Sequence, residues 1–216
     1  MPTPHGKPRP HLPHDHPIGF WEQRYAEAGW AYGTEPNDFV RECADRLSPG
    51  RVLCLGEGQG RNAVFLAARG FDVTAMDQSP MGLARANELA AERGVRITTV
   101  VADLEAFPIE PLAFTAIVSV FVHLPQPLRR AVHQRVMHGL AVGGSYVFEA
   151  YSPEQLQYQT GGPADPALHP SLEQLREELF QLEFDVARQV VRPVVEGRYH
   201  TGLASTVQLL ARRATH

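Results

Sequence analysis

From residue 51 onward, apolar runs of strand length alternate with stretches in which apolar positions recur every three or four residues. Residues 52–55 are too few for a helix and are bounded by glycine, so they read as a short buried strand. Gly56, Gly58 and Gly60 interrupt it, and a helical run follows from Arg61 to Arg69. Residues 71–76 form a second apolar, partly β-branched run that ends on Asp77. Ser79 and Pro80 supply an N-cap and a first-turn proline for an alanine-rich helix that runs to about Arg93 and stops at Gly94. A third strand over 95–101 ends on Ala102, Asp103 and Leu104, and a fourth over 114–120 ends on Phe121, Val122, His123 and Leu124. Pro127 opens a helix with Leu128, Val132, Val136 and Leu140 on one face; Gly143 and Gly144 break it, and 145–150 make a fifth strand ending near Glu149 and Tyr151. Such alternation argues for βαβ units, hence an α/β fold with a parallel sheet and helices on both faces.

The two ends of the chain depart from that rhythm. Residues 152–170 form a glycine- and proline-rich loop with Tyr158 and His169, long enough to read as a functional cover. Ser171-Leu172-Glu173-Gln174 is a capping box that starts a helix on Leu172, Leu175, Leu179 and Leu182. Two β-rich runs, 184–195 and 203–211, are joined by so few residues that they pair as an antiparallel hairpin. Ahead of the first strand, Phe20, Trp21, Tyr25 and Ala28 share a helical face. A turn-rich link over 32–37 follows, with Pro36 expected in the first turn of a helix bearing Phe39, Val40, Cys43, Ala44 and Leu47. Residues 18–50 read either as packing or as a helical lid over the glycines. Residues 1–17, with six prolines and four histidines, read as a disordered, solvated tail rather than a specific metal site.

The chemistry concentrates at the strand ends. A strand that breaks into glycines and restarts as a helix exposes backbone N–H groups and a helix N-terminus to a ligand. Asp77, 21 residues past Gly56, is placed to accept hydrogen bonds from a ribose diol. Together these indicate a nucleotide-type cofactor. In the dinucleotide pattern G-x-G-x-x-G the third glycine falls on Arg61. That bulky side chain makes a nicotinamide or flavin oxidoreductase the weaker reading. Ligands of such sheets sit beyond the carboxyl ends of the strands, so Gly56 to Gly60, Asp77, Asp103, Phe121 and Tyr151 are expected around one pocket.

Composition narrows the class. The 216 residues, 44% hydrophobic, suffice for one domain over 18–216 with an ample core. A net charge of −4 with mixed signs offers no basic face, so nucleic acid is not an expected partner. The apolar runs are too short to span a membrane, and the N-terminus lacks a signal-peptide layout. Two cysteines make no disulfide framework, and Cys54 inside the first strand reads as a buried reduced thiol. A cytoplasmic enzyme, monomeric or homodimeric, is the expectation.

A parallel core finished by an antiparallel hairpin resembles the class I S-adenosylmethionine-dependent methyltransferases. Leu55-Gly56-Glu57-Gly58-Gln59-Gly60-Arg61-Asn62, Asp77-Gln78-Ser79, Ala102-Asp103-Leu104 and Gly143-Gly144 resemble that family's successive motifs in order. Tyr32-Gly33-Thr34-Glu35-Pro36-Asn37 and Glu196-Gly197-x-x-His200 resemble a small bacterial subgroup related to the tellurite-resistance and thiopurine methyltransferases. The resemblance covers roughly residues 20–213. It implies a three-layer Rossmann-like sandwich with a mostly parallel seven-stranded sheet. It further implies that the Gly56–Gly60 backbone, with Arg61 and Asn62, holds the methionine moiety of S-adenosylmethionine and that Asp77, followed by Gln78 and Ser79, holds the ribose. Asp103 would bind the adenine amino group between Ala102 and Leu104, Phe121 would border the sulfonium, and Tyr32 would close the pocket. The family usually has an acid where Cys54 stands and a cysteine where Glu57 stands, so Glu57 is inferred to orient the cofactor's amino group.

Methyl transfer from a sulfonium chiefly requires alignment of a nucleophile and exclusion of water. A thiol or a selenium or tellurium oxyanion needs little base catalysis, whereas a harder oxygen or nitrogen acceptor calls for a general base. His200 and Tyr151 are the catalytic candidates, with His123 and Glu149 also near the strand ends; no metal is expected. In the tellurite-resistance enzymes the corresponding histidine is followed by arginine, where this chain has Thr201. A non-catalytic S-adenosylmethionine-binding or interaction protein is the alternative, separated from the enzyme by turnover.

Overall fold

The structure, a computed structural model, describes residues 18–215; the expected tail over 1–17 lies outside the described residues. Seven strands form one sheet: β1 (Arg51–Leu55), β2 (Asp72–Asp77), β3 (Thr98–Val101), β4 (Phe114–Val120), β5 (Leu140–Tyr151), β6 (Leu182–Glu196) and β7 (His200–Arg213). Their order is β3-β2-β1-β4-β5-β7-β6. The first five run parallel, and β7 pairs antiparallel with both β5 and β6. This is the expected mostly parallel sheet with its terminal hairpin.

Helices cover both faces because both faces are apolar. Along β1 the side chains alternate: Val52 and Cys54 pack with Phe39, Val40, Ala63, Leu66 and Leu83, while Leu53 and Leu55 pack with Val132, Val136, Leu140 and Leu175. The first cluster is supplied by α2 (Asp38–Cys43), α3 (Arg61–Ala68) and α4 (Pro80–Glu92), the second by α5 (Gln126–Gly139) and α6 (Leu172–Glu178). Ser79 caps α4 through its hydroxyl, and the Ser171–Gln174 capping box starts α6, both as the sequence suggests. An N-terminal helix, α1 (Ile18–Ala26), lies across α4, with the Tyr25 ring against Gly82.

Three expectations need correction. Gly143 and Gly144 do not end α5. The helix stops at Gly139, and both glycines lie within β5, where Leu140 pairs with Phe114 but Ser145 with Ala116. The extra residues form a bulge, and Gly144 is required there because a Cβ would lie 2.9 Å from the Phe114 carbonyl. Pro36 is not in the first turn of α2: Asn37 is the N-cap, its side chain accepting from the N–H groups of Phe39 and Val40. The hairpin is longer than 184–195 and 203–211, since Glu196 still pairs with His200.

Candidate functional site

The strand order reverses between β1 and β4, and side-by-side strands whose connections leave in opposite directions part to leave a crevice. A cavity of about 680 Å³ opens there, within the usual range of small-molecule sites. Its floor is the glycine bend after β1. Gly56, Gly58 and Gly60 all have positive φ (59°, 59° and 88°), so the backbone takes a path that L side chains resist. Asp77, at the tip of β2, locks this bend: Oδ2 accepts the Gly58 N–H at 2.8 Å and Oδ1 the Ser79 N–H at 2.9 Å. Only 6% of Asp77 is exposed, and burial raises its carboxyl above the usual range despite those donors.

Glu57 reaches over the start of α3, where its Oε1 accepts the N–H groups of Asn62 (2.9 Å) and Ala63 (2.8 Å). Burial pushes its pKa up to about 7, and Cys54 hydrogen-bonds to it. The Glu57 carboxylate thus meets both the Cys54 thiol and the N-terminus of α3.

The N-terminal segment is laced over one side of the cavity. Ala31 N–H donates to Gln59 Oε1 (2.8 Å), Asn37 N–H to Asn62 Oδ1 (2.9 Å) and Arg198 N–H to the Ala31 carbonyl (3.0 Å). Beneath it lies a buried charge network. Asn37 Nδ2 donates to Glu149 (2.5 Å) and Glu196 (2.9 Å), Arg61 Nη2 donates to Glu196 (2.7 Å), and Arg192 and Gln208 donate to Glu149. Burial opposes ionisation of Glu196, but Arg61 and the nearby His200 hold it down at about 2. His200 Nδ1 sits 3.7 Å from Glu196 Oε2, and burial lowers its pKa despite that carboxylate.

The opposite wall is aromatic. Phe121 adopts φ 55°, an uncommon backbone state for a bulky residue, held by its N–H to the Glu149 carbonyl at 2.7 Å. Its ring contacts His200 (4.8 Å between centroids) and Tyr151 (4.6 Å), and Tyr32 lies 4.6 Å from His200.

Residues 52–144 match the family described as a methyltransferase domain. A 2-heptyl-1-hydroxyquinolin-4(1H)-one methyltransferase of Mycobacteroides abscessus is 27% identical over 157 residues, 71% of this chain and 69% of that protein. A probable S-adenosyl-L-methionine-dependent methyltransferase TehB of Haemophilus influenzae is 33% identical over 49% of this chain; the match spans 37% of that protein. The crystal structure of Haemophilus influenzae TehB superposes with a TM-score of 0.70 at 22% identity, covering 91% of this chain and 66% of that one. Residues 52–144 are thus a methyltransferase domain, set in a fold shared with S-adenosylmethionine-dependent methyltransferases of known structure.

The cavity also carries unused hydrogen-bonding groups. Buried polar atoms without a hydrogen-bond partner among the described residues include Gln59 Nε2 and Arg61 Nη1, both on cavity-lining residues, so anionic or carbonyl groups of a ligand have donors waiting. Asp77 accepts from the Gly58, Gln78 and Ser79 N–H groups, and a carboxylate has about four acceptor sites. Of the residues expected at the cofactor, Tyr32, Gly56, Glu57, Arg61, Asn62, Asp77, Gln78, Ala102, Asp103, Leu104 and Phe121 all line the cavity, as does His200. Gly58, Gly60 and Ser79 do not line it. Gly58 packs on Tyr25, Gly60 on Ala86, and the Ser79 side chain bonds Glu22 and the Gly82 N–H. Tyr151 is fully buried one layer behind Phe121, touching His123 and His200 rather than the cavity.

Sequence reasoning passed over Arg24, named Trp21 only as part of an apolar helical face and Gln59 only within the glycine motif, and the part of the cover it flagged that lines the cavity is Gln159–Ala164. Arg24 stacks on Tyr199, 3.7 Å from the ring centroid, and donates to the Tyr32 hydroxyl. Arg24 set among the aromatic residues of α1 carried a signal, but nothing local connected it to residue 199.

Proposed function

We propose that the enzyme methylates a small organic molecule bound against the aromatic wall of this cavity. The observation that carries the proposal is that one crevice gathers the glycine bend, Asp77 and Asp103 on one side and Phe121, Tyr32 and His200 on the other. S-adenosylmethionine, when bound, supplies a sulfonium-activated methyl group, so the chain's own task is to hold, align and exclude water. Gly56, Gln59 and Arg61 would hold the methionine end, Asp77 the ribose and Asp103 the adenine. The segment over 18–50 would serve as the lid, because its hydrogen bonds to Gln59 and Asn62 close the cofactor side. Likeness to a relative named for a hydroxyquinolone supports a ring-bearing acceptor.

A thiol, selenium or tellurium oxyanion acceptor is the second reading, and Arg24, Arg61 and Arg198 on the cavity wall favour it. Against it, Arg61 is already paired with Glu196, Arg198 sits 3.4 Å from Glu27, and Arg24 is spent on Tyr199 and Tyr32. Calorimetric titration with S-adenosylhomocysteine, followed by an assay of its release against 2-heptyl-1-hydroxyquinolin-4(1H)-one, simple phenols, thiols, selenite and tellurite, tests both. Cofactor binding with methylation of a ring compound is expected. Cofactor binding with no turnover on any of them would favour a non-catalytic binding protein, and no cofactor binding would end the assignment of the site.

A further inference from the structure

Beyond Phe121 lies a patch of imidazole and phenol groups that the cofactor site does not use. His123 Nδ1 stands 3.3 Å from the Leu168 carbonyl oxygen. A carbonyl only accepts, so Nδ1 carries the proton and Nε2 carries the lone pair. Nε2 is buried and has no hydrogen-bond partner among the described residues, although His123 belongs to the cavity wall. A buried acceptor without a donor is a standing cost and points to a missing partner.

The surroundings hold this ring in place. Tyr151 stacks parallel to it, with centroids 5.5 Å apart and planes 7° apart, and its own hydroxyl lacks a hydrogen-bond partner. Phe121 and His169 flank the pair. The Gly161–Gly162 turn covers it: a methyl group on Gly161 would collide with the Tyr151 hydroxyl, and one on Gly162 would come within 2.6 Å of Tyr151 Cδ2. No carboxylate or guanidinium hydrogen-bonds to His123 or Tyr151 among the described residues, although Glu196, Glu149 and Arg192 act on Tyr151, and Arg129 on His123, through space. Burial lowers the His123 pKa to about 3 and raises that of Tyr151, which keeps both neutral across the working pH range.

We propose that His123 Nε2, its ring held by the stacked Tyr151, is the subsite that reads a hydrogen-bond donor on the methyl acceptor, so that the enzyme takes a neutral hydroxyl- or N–H-bearing ring and discriminates against oxyanions. An anion placed there would face the Nε2 lone pair, whereas an O–H or N–H satisfies it. The inference rests on the methyltransferase reading of this same cavity and narrows it to one acceptor class.

The test uses His123→Phe, which keeps the stack on Tyr151 and deletes the acceptor atom, alongside His123→Gln, which restores a carbonyl acceptor. S-adenosylhomocysteine affinity, measured calorimetrically, reports the cofactor site and should be the same in all three proteins; its absence in the wild type would sink the cofactor assignment rather than this one. The probes are 2-heptyl-1-hydroxyquinolin-4(1H)-one, phenol and indole as protic acceptors, the O-methyl ether of the first as a proton-free control, and tellurite. Removing one hydrogen bond to a buried group should raise KM for the preferred protic probe on the order of 10- to 100-fold in His123→Phe. Binding of the ether should be unchanged, and His123→Gln should recover part of the loss. Equal losses for the protic probe and its ether would overturn the proposal, as would preferred methylation of tellurite or cofactor binding without turnover of any protic probe.

Discussion

Glu57 should make this protein less stable as the pH rises from mildly acidic to neutral. Its ordinary carboxyl value of 4.5 is pushed to about 7 in the fold, chiefly by burial, against the lowering effect of the Asn62 and Ala63 N–H groups and Arg61. The folded chain therefore binds this proton more tightly than the unfolded chain between those two values. Stability falls as the pH climbs through that window, because the native state must give up a proton it prefers to keep. A tenfold change in proton affinity is worth about 1.4 kcal/mol, so the whole effect amounts to about 3 kcal/mol. Glu57→Gln removes the titration and keeps an oxygen for the α3 N–H groups. Urea unfolding of both proteins at several pH values between about 4.5 and 8 isolates the group, since all other titrations cancel in the difference. The variant should gain about 3 kcal/mol relative to the wild type across that range. Parallel stability curves would refute the assigned burial of Glu57. A cationic ligand in the cavity favours the ionised carboxylate, so S-adenosylmethionine affinity should rise through neutral pH in the wild type and stay flat in the variant.

Asp77→Ala deletes the acceptor of the Gly58 and Ser79 N–H groups and should weaken S-adenosylhomocysteine binding by ~10- to 100-fold in calorimetry; unchanged affinity would remove Asp77 from the cofactor site. Glu178 holds Arg129 in a bidentate pair (3.0 and 2.9 Å) and also meets His133 Nδ1 at 2.9 Å, all three buried between α5 and α6. Glu178→Ala leaves a buried guanidinium unpaired and should cost about 3–5 kcal/mol in denaturant unfolding, with cofactor affinity at saturating fold unchanged; a loss below about 1 kcal/mol would mean water replaces the carboxylate. Gly60→Ala must adopt φ 88° and place a Cβ 2.5 Å from that of Ala86, so it should lower the melting temperature through a cost on the order of 1–3 kcal/mol. A melting temperature equal to the wild type's would show that the bend can relax without Ala86.

The sequence by itself determined the sheet, the glycine bend and the acid that follows it. These depend on neighbours in the chain: apolar runs set strands, positive φ demands glycine, and Asp77 stands at the end of the next strand. The same local logic misjudged Gly143 and Gly144, because a helix stop and a bulge both call for glycine, and only the partner strand tells them apart. Tertiary structure alone decided which strand-end groups share the cavity. Asn37, Glu149, Arg61 and Glu196 meet across as many as 159 residues, a union no local spacing encodes. Glu149 and Tyr151 lie two residues apart on one strand, yet the first is spent in that network and the second is sealed behind Phe121. His123 acquires its tautomer from a carbonyl 45 residues away. A side chain's chemistry is written in the sequence, but its protonation and its access to a ligand depend on burial and on partners that only the packed chain brings within a few ångströms.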